Sequence, residues 1–136
     1  MIDTAYIALG SNVGDRAGYL SRARAAIGAL PDTHIVAESA IEETAPLGSV
    51  AQGPYLNQMI AVETALSPTQ LLEHLLRIET REGRTRAVRW GPRTLDLDIV
   101  CFDEQTVNEP GLRVPHPELP NRDFWRRELA ELGVNP

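Results

Sequence analysis

Between residues 4 and 102 the apolar period switches back and forth between two and 3.6, and this ordered switching constrains the fold more than any single motif. Residues 4–10 are apolar on both faces, Tyr6 and Ala8 against Ala5, Ile7 and Leu9, which predicts a central strand covered on both sides. Gly10-Ser11-Asn12 is expected to turn the chain. Leu20, Ala23, Ile27 and Leu30 then recur at helical spacing, and Pro31-Asp32 stops that helix. Residues 34–42 alternate as a second strand, residues 44–54 hold two Pro and two Gly and read as a loop, and residues 56–66 form a third strand. The second helix opens with Ser67 as N-cap, Pro68 at the first helical position and Gln70 where a capping box needs it. Leu71, Leu72, Leu75, Leu76 and Ile78 give its buried stripe, and Gly83 ends it. An Arg-rich loop over residues 84–93 leads into a fourth strand over residues 94–102.

This order is the ferredoxin-like β-α-β-β-α-β arrangement: an α+β fold whose antiparallel sheet carries its helices on one face. Pro110-Gly111 and Pro115-His116-Pro117 predict a rigid loop after it, and residues 123–132 a short closing helix. A length of 136 residues matches one domain, 1–136, large enough to bury a core without a disulfide or metal staple. Cys101 is the lone cysteine, so no intramolecular disulfide forms. The start lacks a basic-then-apolar leader, and the longest apolar run, residues 5–9, is far short of a membrane span. A cytoplasmic protein with no membrane partner is expected, a monomer by default.

The net charge of −6 argues against a nucleic-acid partner. All 13 basic residues are Arg, and six of them (77, 81, 84, 86, 89 and 93) share a 17-residue window with only two acids. Either the window is a solvated face, or it binds a compact polyanion, since guanidinium forks match phosphate oxygens two at a time.

The fourth strand carries the sharpest signal. Leu95, Leu97, Ile99 and Cys101 alternate with Asp96, Asp98, Val100 and Phe102, so both acids face one side and the apolar Val100 and Phe102 continue that face. Carboxylates roughly 5.5 Å apart repel by about 3 kcal/mol at an effective dielectric near 20. Divalent cations relieve that repulsion, and hard oxygen ligands suit Mg²⁺ shared with substrate phosphates. The alternative is a polar edge strand whose acids pair with Arg. Arg93, three residues before Asp96, favours a phosphoryl-transfer site. No Walker-type Gly-rich loop and no Lys is present, so Arg, metal and His116 must meet the phosphate charge. His116 alone reads as an ordinary loop histidine; beside Arg122 and the two acids it becomes a phosphate contact. No Ser-His-Asp or Cys-His set supports covalent catalysis.

Arg89-Trp90-Gly91-Pro92-Arg93-Thr94-Leu95-Asp96-Leu97-Asp98-Ile99 closely resembles the signature of the 6-hydroxymethyl-7,8-dihydropterin pyrophosphokinase family. Ala5-Tyr6-Ile7-Ala8-Leu9-Gly10-Ser11-Asn12, Thr44-Ala45-Pro46-Leu47-Gly48, Tyr55-Leu56-Asn57, Ile78-Glu79 with Gly83-Arg84, and Val114-Pro115-His116-Pro117 through Arg122 and Phe124 match in the same order. The resemblance implies transfer of the β,γ-pyrophosphoryl group of ATP to a pterin hydroxymethyl oxygen in folate synthesis, with release of AMP. It implies two Mg²⁺ held by Asp96 and Asp98, and a closing Arg loop in which Arg84, Arg86, Trp90 and Arg93 act. Arg84 and Arg93 join the two acids as the catalytic set; Arg93, His116 and Arg122 meet phosphates, and the Ile99 backbone faces adenine. The pterin would stack between Tyr55 and Phe124, its polar edge read by Asn57 and by Thr44, Pro46 and Leu47.

The chain departs from the family pattern in places. Ala45 replaces a proline, Leu76 stands in place of a glutamine, the Arg loop is about one residue shorter, and Trp125-Arg126-Arg127-Glu128 replaces an apolar stretch ending in proline. A ferredoxin-like nucleotide- or RNA-binding module without chemistry is the competing reading, and a degenerate relative that keeps the fold without turnover is a third.

Overall fold

The computed structural model describes residues 2–45, 54–83, 94–103 and 105–134. Its elements run β1 (Asp3–Ser11), α1 (Arg16–Gly28), β2 (Thr33–Glu38), β3 (Glu42–Thr44), β4 (Tyr55–Thr64), α2 (Pro68–Arg81), β5 (Asp96–Phe102), β6 (Val107–Glu109), β7 (Leu112–Val114), a 3₁₀ turn (Leu119–Asn121) and α3 (Asp123–Glu131). The main sheet has the order β2-β4-β1-β5, with β3 also on β4, and every pairing in it is antiparallel. The expected α+β fold and the order β1-α1-β2-β4-α2-β5 are therefore both present.

Both main helices form where their caps and stripes direct. Asp15 caps α1 by accepting from the Gly18 amide at 3.1 Å, and Leu20, Ala23 and Ile27 are its buried face. Ser67 and Gln70 form the expected reciprocal capping box on α2. Leu71, Leu75 and Ile78 are buried as predicted, but Leu76 is exposed. One residue past Leu75, it lies about 100° around the helix from the sheet.

The sheet is covered on both faces. Ala5, Ile7, Leu9, Ile60 and Val62 pack against the stripes of α1 and α2. On the other face Ala8, Met59 and Val100 pack against Leu119, Trp125 and Leu129. Only α1 and α2 thus share a face; α3 covers the opposite one.

Three further details differ from expectation. The predicted strand over residues 34–42 breaks into β2 and β3 at Ser39. There the Ser39 hydroxyl accepts from the Met59 amide at 2.9 Å, and the Gln58 side-chain amide donates to the Ser39 carbonyl at 2.7 Å. Side-chain bonds take over part of the ladder there, while the Ser39 amide still donates to the Met59 carbonyl at 2.8 Å. Pro110-Gly111, expected in a rigid loop, instead turns a hairpin over residues 107–114, with Gly111 at φ 79. In β1, Gly10 continues the strand instead of turning it.

A fourth difference alters the reading of the Asp strand. Ile7 faces Ile99 while Tyr6 faces Cys101, which leaves Val100 as the extra residue of a β-bulge. Parity flips there. Val100 stays on the Asp face with α3, but Phe102 turns to the α1/α2 core and is fully buried, and Cys101 packs on the α3 side. The sequence placed both Phe102 and Cys101 on the wrong faces because strict alternation cannot register an inserted residue.

Candidate active site

Asp96 and Asp98 stand on the α3 face of β5, and both line a narrow slot of about 70 Å³. Opposite them the slot is built from β1, β3 and β4. Gly10 pairs with Asn57 across β1 and β4, and Thr44 pairs with Tyr55 across β3 and β4. The Asn57 side-chain amide donates to the Thr44 hydroxyl, which fixes the amide of a residue only 7% exposed. A Cβ on Gly10 would lie 3.3 Å from Asn57 Oδ1 and 3.4 Å from Tyr55 Cδ1, so the missing side chain keeps the slot floor open. Arg16 anchors the rim: its guanidinium donates to the Pro54 carbonyl at 2.9 Å and lies 3.0 Å from the Glu43 carboxylate.

The far wall comes from the C-terminal segment. Phe124 and Trp125 line the slot and meet edge to face, with centroids 6.2 Å apart. The Arg122 guanidinium lies 4.4 Å over the Trp125 ring, and its buried Nε has no hydrogen-bond partner among the described residues. Aromatic faces, an amide and a guanidinium thus surround a space open at the carboxylate end. That set suits a flat, polar heterocycle.

A second, wider groove of about 670 Å³ lies beyond Asp98, lined by Leu72, Ile99, Leu112, Arg113 and His116 among others. Asp98 lines both spaces. His116 Nδ1 accepts from the Glu118 amide at 3.0 Å, which leaves the ring proton on Nε2, 3.6 Å from Asp98 Oδ1. The His116 ring also meets Trp125 edge to face at 4.9 Å. Two carboxylates at a cavity mouth, with no thiolate among the lining residues, form a donor set that fits Mg²⁺ completed by phosphate oxygens. Among the described residues no group of three or more His, Cys, Asp or Glu is placed to hold a metal ion.

The structure brings Asp96, Asp98, Thr44, Tyr55, Asn57, Arg122 and Phe124 together at the slot, and Asp98, Ile99 and His116 at the groove. Arg122, expected among the nucleotide contacts, lines the slot. Pro46, Leu47, Arg84, Arg86, Trp90 and Arg93 lie outside the described residues. Sequence reasoning missed Gly10 and Trp125 as site residues. Gly10 was read as a turn, and its place on the slot floor follows only from pairing register; Trp125 had adjacency to Phe124 as its one signal.

Among the described residues, the outer side of β5 has no strand neighbour in the main sheet. There the Glu79 carboxylate of α2 accepts from the Leu97 amide at 2.7 Å, and the His116 amide donates to the Val100 carbonyl at 2.9 Å. On α3, Glu128 is 3% exposed, and its carboxyl group lies beside that of Glu42. Burial, and then the neighbouring Glu42 carboxylate, push its pKa up to about 9, against a smaller opposing pull from Arg127.

A family model described as 7,8-dihydro-6-hydroxymethylpterin-pyrophosphokinase matches residues 6–134. A Bacillus subtilis protein named 2-amino-4-hydroxy-6-hydroxymethyldihydropteridine pyrophosphokinase is 45% identical over 132 residues, which are 97% of this chain and 79% of that protein. A Haemophilus influenzae protein of the same name is 45% identical over 96% of this chain and 81% of its own. A bifunctional protein of Lactococcus lactis is 37% identical over 98% of this chain but only 38% of its own length.

Proposed function

The chain belongs to the 7,8-dihydro-6-hydroxymethylpterin-pyrophosphokinase family, and from that premise we infer that it transfers the pyrophosphoryl group of ATP to the hydroxymethyl group of 6-hydroxymethyl-7,8-dihydropterin, in folate biosynthesis. Family membership also removes the reading as a binding module without chemistry. The finer assignments that follow are our own. The observation that carries them is the sharing of Asp98 between an aromatic-walled slot and a wide groove. The slot takes the pterin, with Phe124 and Tyr55 on its ring, Asn57 at its polar edge, and Thr44, Pro46 and Leu47 beside it. ATP lies in the groove, adenine near the Ile99 backbone, with His116 directing its Nε2 proton to a phosphate oxygen and Arg122 reaching the same phosphates from the slot side. Arg84, Arg86, Trp90 and Arg93 complete the phosphate clamp.

Asp96 and Asp98 hold two Mg²⁺. Held there, they would supply positive charge that neutralises the triphosphate and polarises the group being transferred. What the chain itself contributes is alignment: the slot fixes the hydroxymethyl oxygen and the groove fixes the phosphorus, so the two meet at the carboxylates. Loose phosphoryl transition states need placement and charge more than a strong general base, and none is assigned. Enzyme mixed with MgATP and the reduced pterin should give AMP; ADP as the sole nucleotide product would exclude pyrophosphoryl transfer. We further place the enzyme in the cytoplasm, with its ATP, as a monomer. Ile2, Val13, Val36, Ile41 and Leu76, its exposed large apolar side chains among the described residues, are scattered along the chain from the N-terminus to α2. Gel filtration at micromolar concentration tests the monomer.

A further inference from the structure

We propose that Glu79 is a positioning residue for the carboxylate pair: from α2 it holds the Leu97 amide, and so sets the direction of Asp96 and Asp98 on either side. This inference rests on the reading that those two acids carry the metal.

Glu79 lines neither the slot nor the groove. It is 2% exposed and lies on the face of α2 that buries Leu71, Leu75 and Ile78. An apolar residue there would serve helix packing better, because a buried carboxylate is costly unless strong hydrogen bonds compensate it. One bond it makes is local to the site. Its Oε2 accepts from Leu97 N–H at 2.7 Å, and Leu97 is the residue between the two acids.

Geometry explains why that amide needs an outside acceptor. Among the described residues β5 ends the sheet order, with β1 as its one strand partner. In an antiparallel pair, alternate residues direct their backbone groups away from the neighbouring strand. Leu97 is one of these, and its amide would otherwise be buried unpaired. Three residues on, the Val100 carbonyl is held by the His116 amide. The edge is thus held on both sides of Asp98, the second hold falling on the bulge residue Val100 itself. Fixing the peptide plane at Leu97 fixes the Cα–Cβ directions of its neighbours. A catalytic constellation tolerates about 0.5 Å of error.

The test compares Glu79→Leu, which removes the acceptor, with Glu79→Gln, which keeps one without the charge. Mn²⁺ binding beside a nonhydrolysable ATP analogue, followed by electron paramagnetic resonance, is the direct readout. Glu79→Leu is expected to weaken Mn²⁺ by roughly 10- to 100-fold, the usual effect of losing an outer-shell partner. Its kcat should fall in parallel, while KM for the pterin stays within about twofold of the parent. Glu79→Gln should restore most of both. If Glu79→Leu does not fold, Glu79→Asp withdraws the acceptor by one methylene, and a smaller shift in the same direction is expected. Parental Mn²⁺ affinity and kcat in Glu79→Leu or Glu79→Asp would overturn the proposal, as would a loss in Glu79→Gln equal to that in Glu79→Leu. Asp96→Ala and Asp98→Ala run in the same assay separate the layers: if they leave Mn²⁺ binding intact, the metal reading itself fails; if they abolish it and Glu79→Leu does not change it, only the positioning role fails.

Discussion

At the scale of single residues, function concentrates where a local rule is broken for a neighbour's sake. Asp96 and Asp98 accept mutual repulsion on one strand face. Replacing either with Ala is expected to lower kcat by at least about 10²-fold with the fold retained, since charge placed for the transition state is lost. Steady-state kinetics beside circular dichroism checks this. Gly10 gives up a side chain to leave the slot floor clear. Its Cβ would press on Asn57, which is itself bonded to Thr44 and has little room to yield. Gly10→Ala should therefore raise KM for the pterin roughly fivefold, from ~1 kcal/mol of overpacking, and leave KM for ATP unchanged. The acids were legible in the sequence because alternation alone puts i and i+2 on one face. Gly10 and Trp125 were not, because their roles depend on which strand pairs with which, and on where α3 lands.

Among the elements, legibility followed the range of the interactions. α2 could be read in full at its start, because a capping box is written within four residues. Ser67→Ala should lower stability by about 1 kcal/mol, measured as a shift in the urea midpoint, with kcat unaltered. Long-range partners wrote the rest. The break between β2 and β3 comes from Ser39 bonding to Gln58 and Met59, nineteen and twenty residues away. The Val100 bulge depends on the register with β1. Both sit beside the site: the first lets β3 bring Thr44 to Tyr55, and the second confines strict alternation to the stretch of β5 that carries the acids.

For the whole molecule, the two faces of the sheet divide the work. The α1/α2 face holds most of the buried apolar side chains, while the α3 face holds the slot and a smaller cluster. Glu128 is an anomaly in that thinner layer, and one with a measurable consequence. Its folded pKa of about 9 stands above the ordinary 4.5. Below pH 4.5 both folded and unfolded chains hold the proton; above it the unfolded chain releases the proton while the folded chain keeps it. The stability tied to this proton is thus fully present at low pH and drains away as pH rises toward 9, at no more than ~1.4 kcal/mol per pH unit. Glu128→Leu removes the buried carboxyl group together with its titration. Thermal melts from pH 5 to 9 should show a flatter slope in the variant and, at pH 8, a gain of about 1–3 kcal/mol over the parent. An unchanged slope would mean that Glu128 is solvated in solution.

Asp98 forms part of the wall of both chambers, so a shift forced on it by an occupant on one side is felt by the occupant of the other. Thermodynamic linkage then makes the influence mutual: whatever factor the nucleotide imposes on pterin affinity, the pterin must return to the nucleotide.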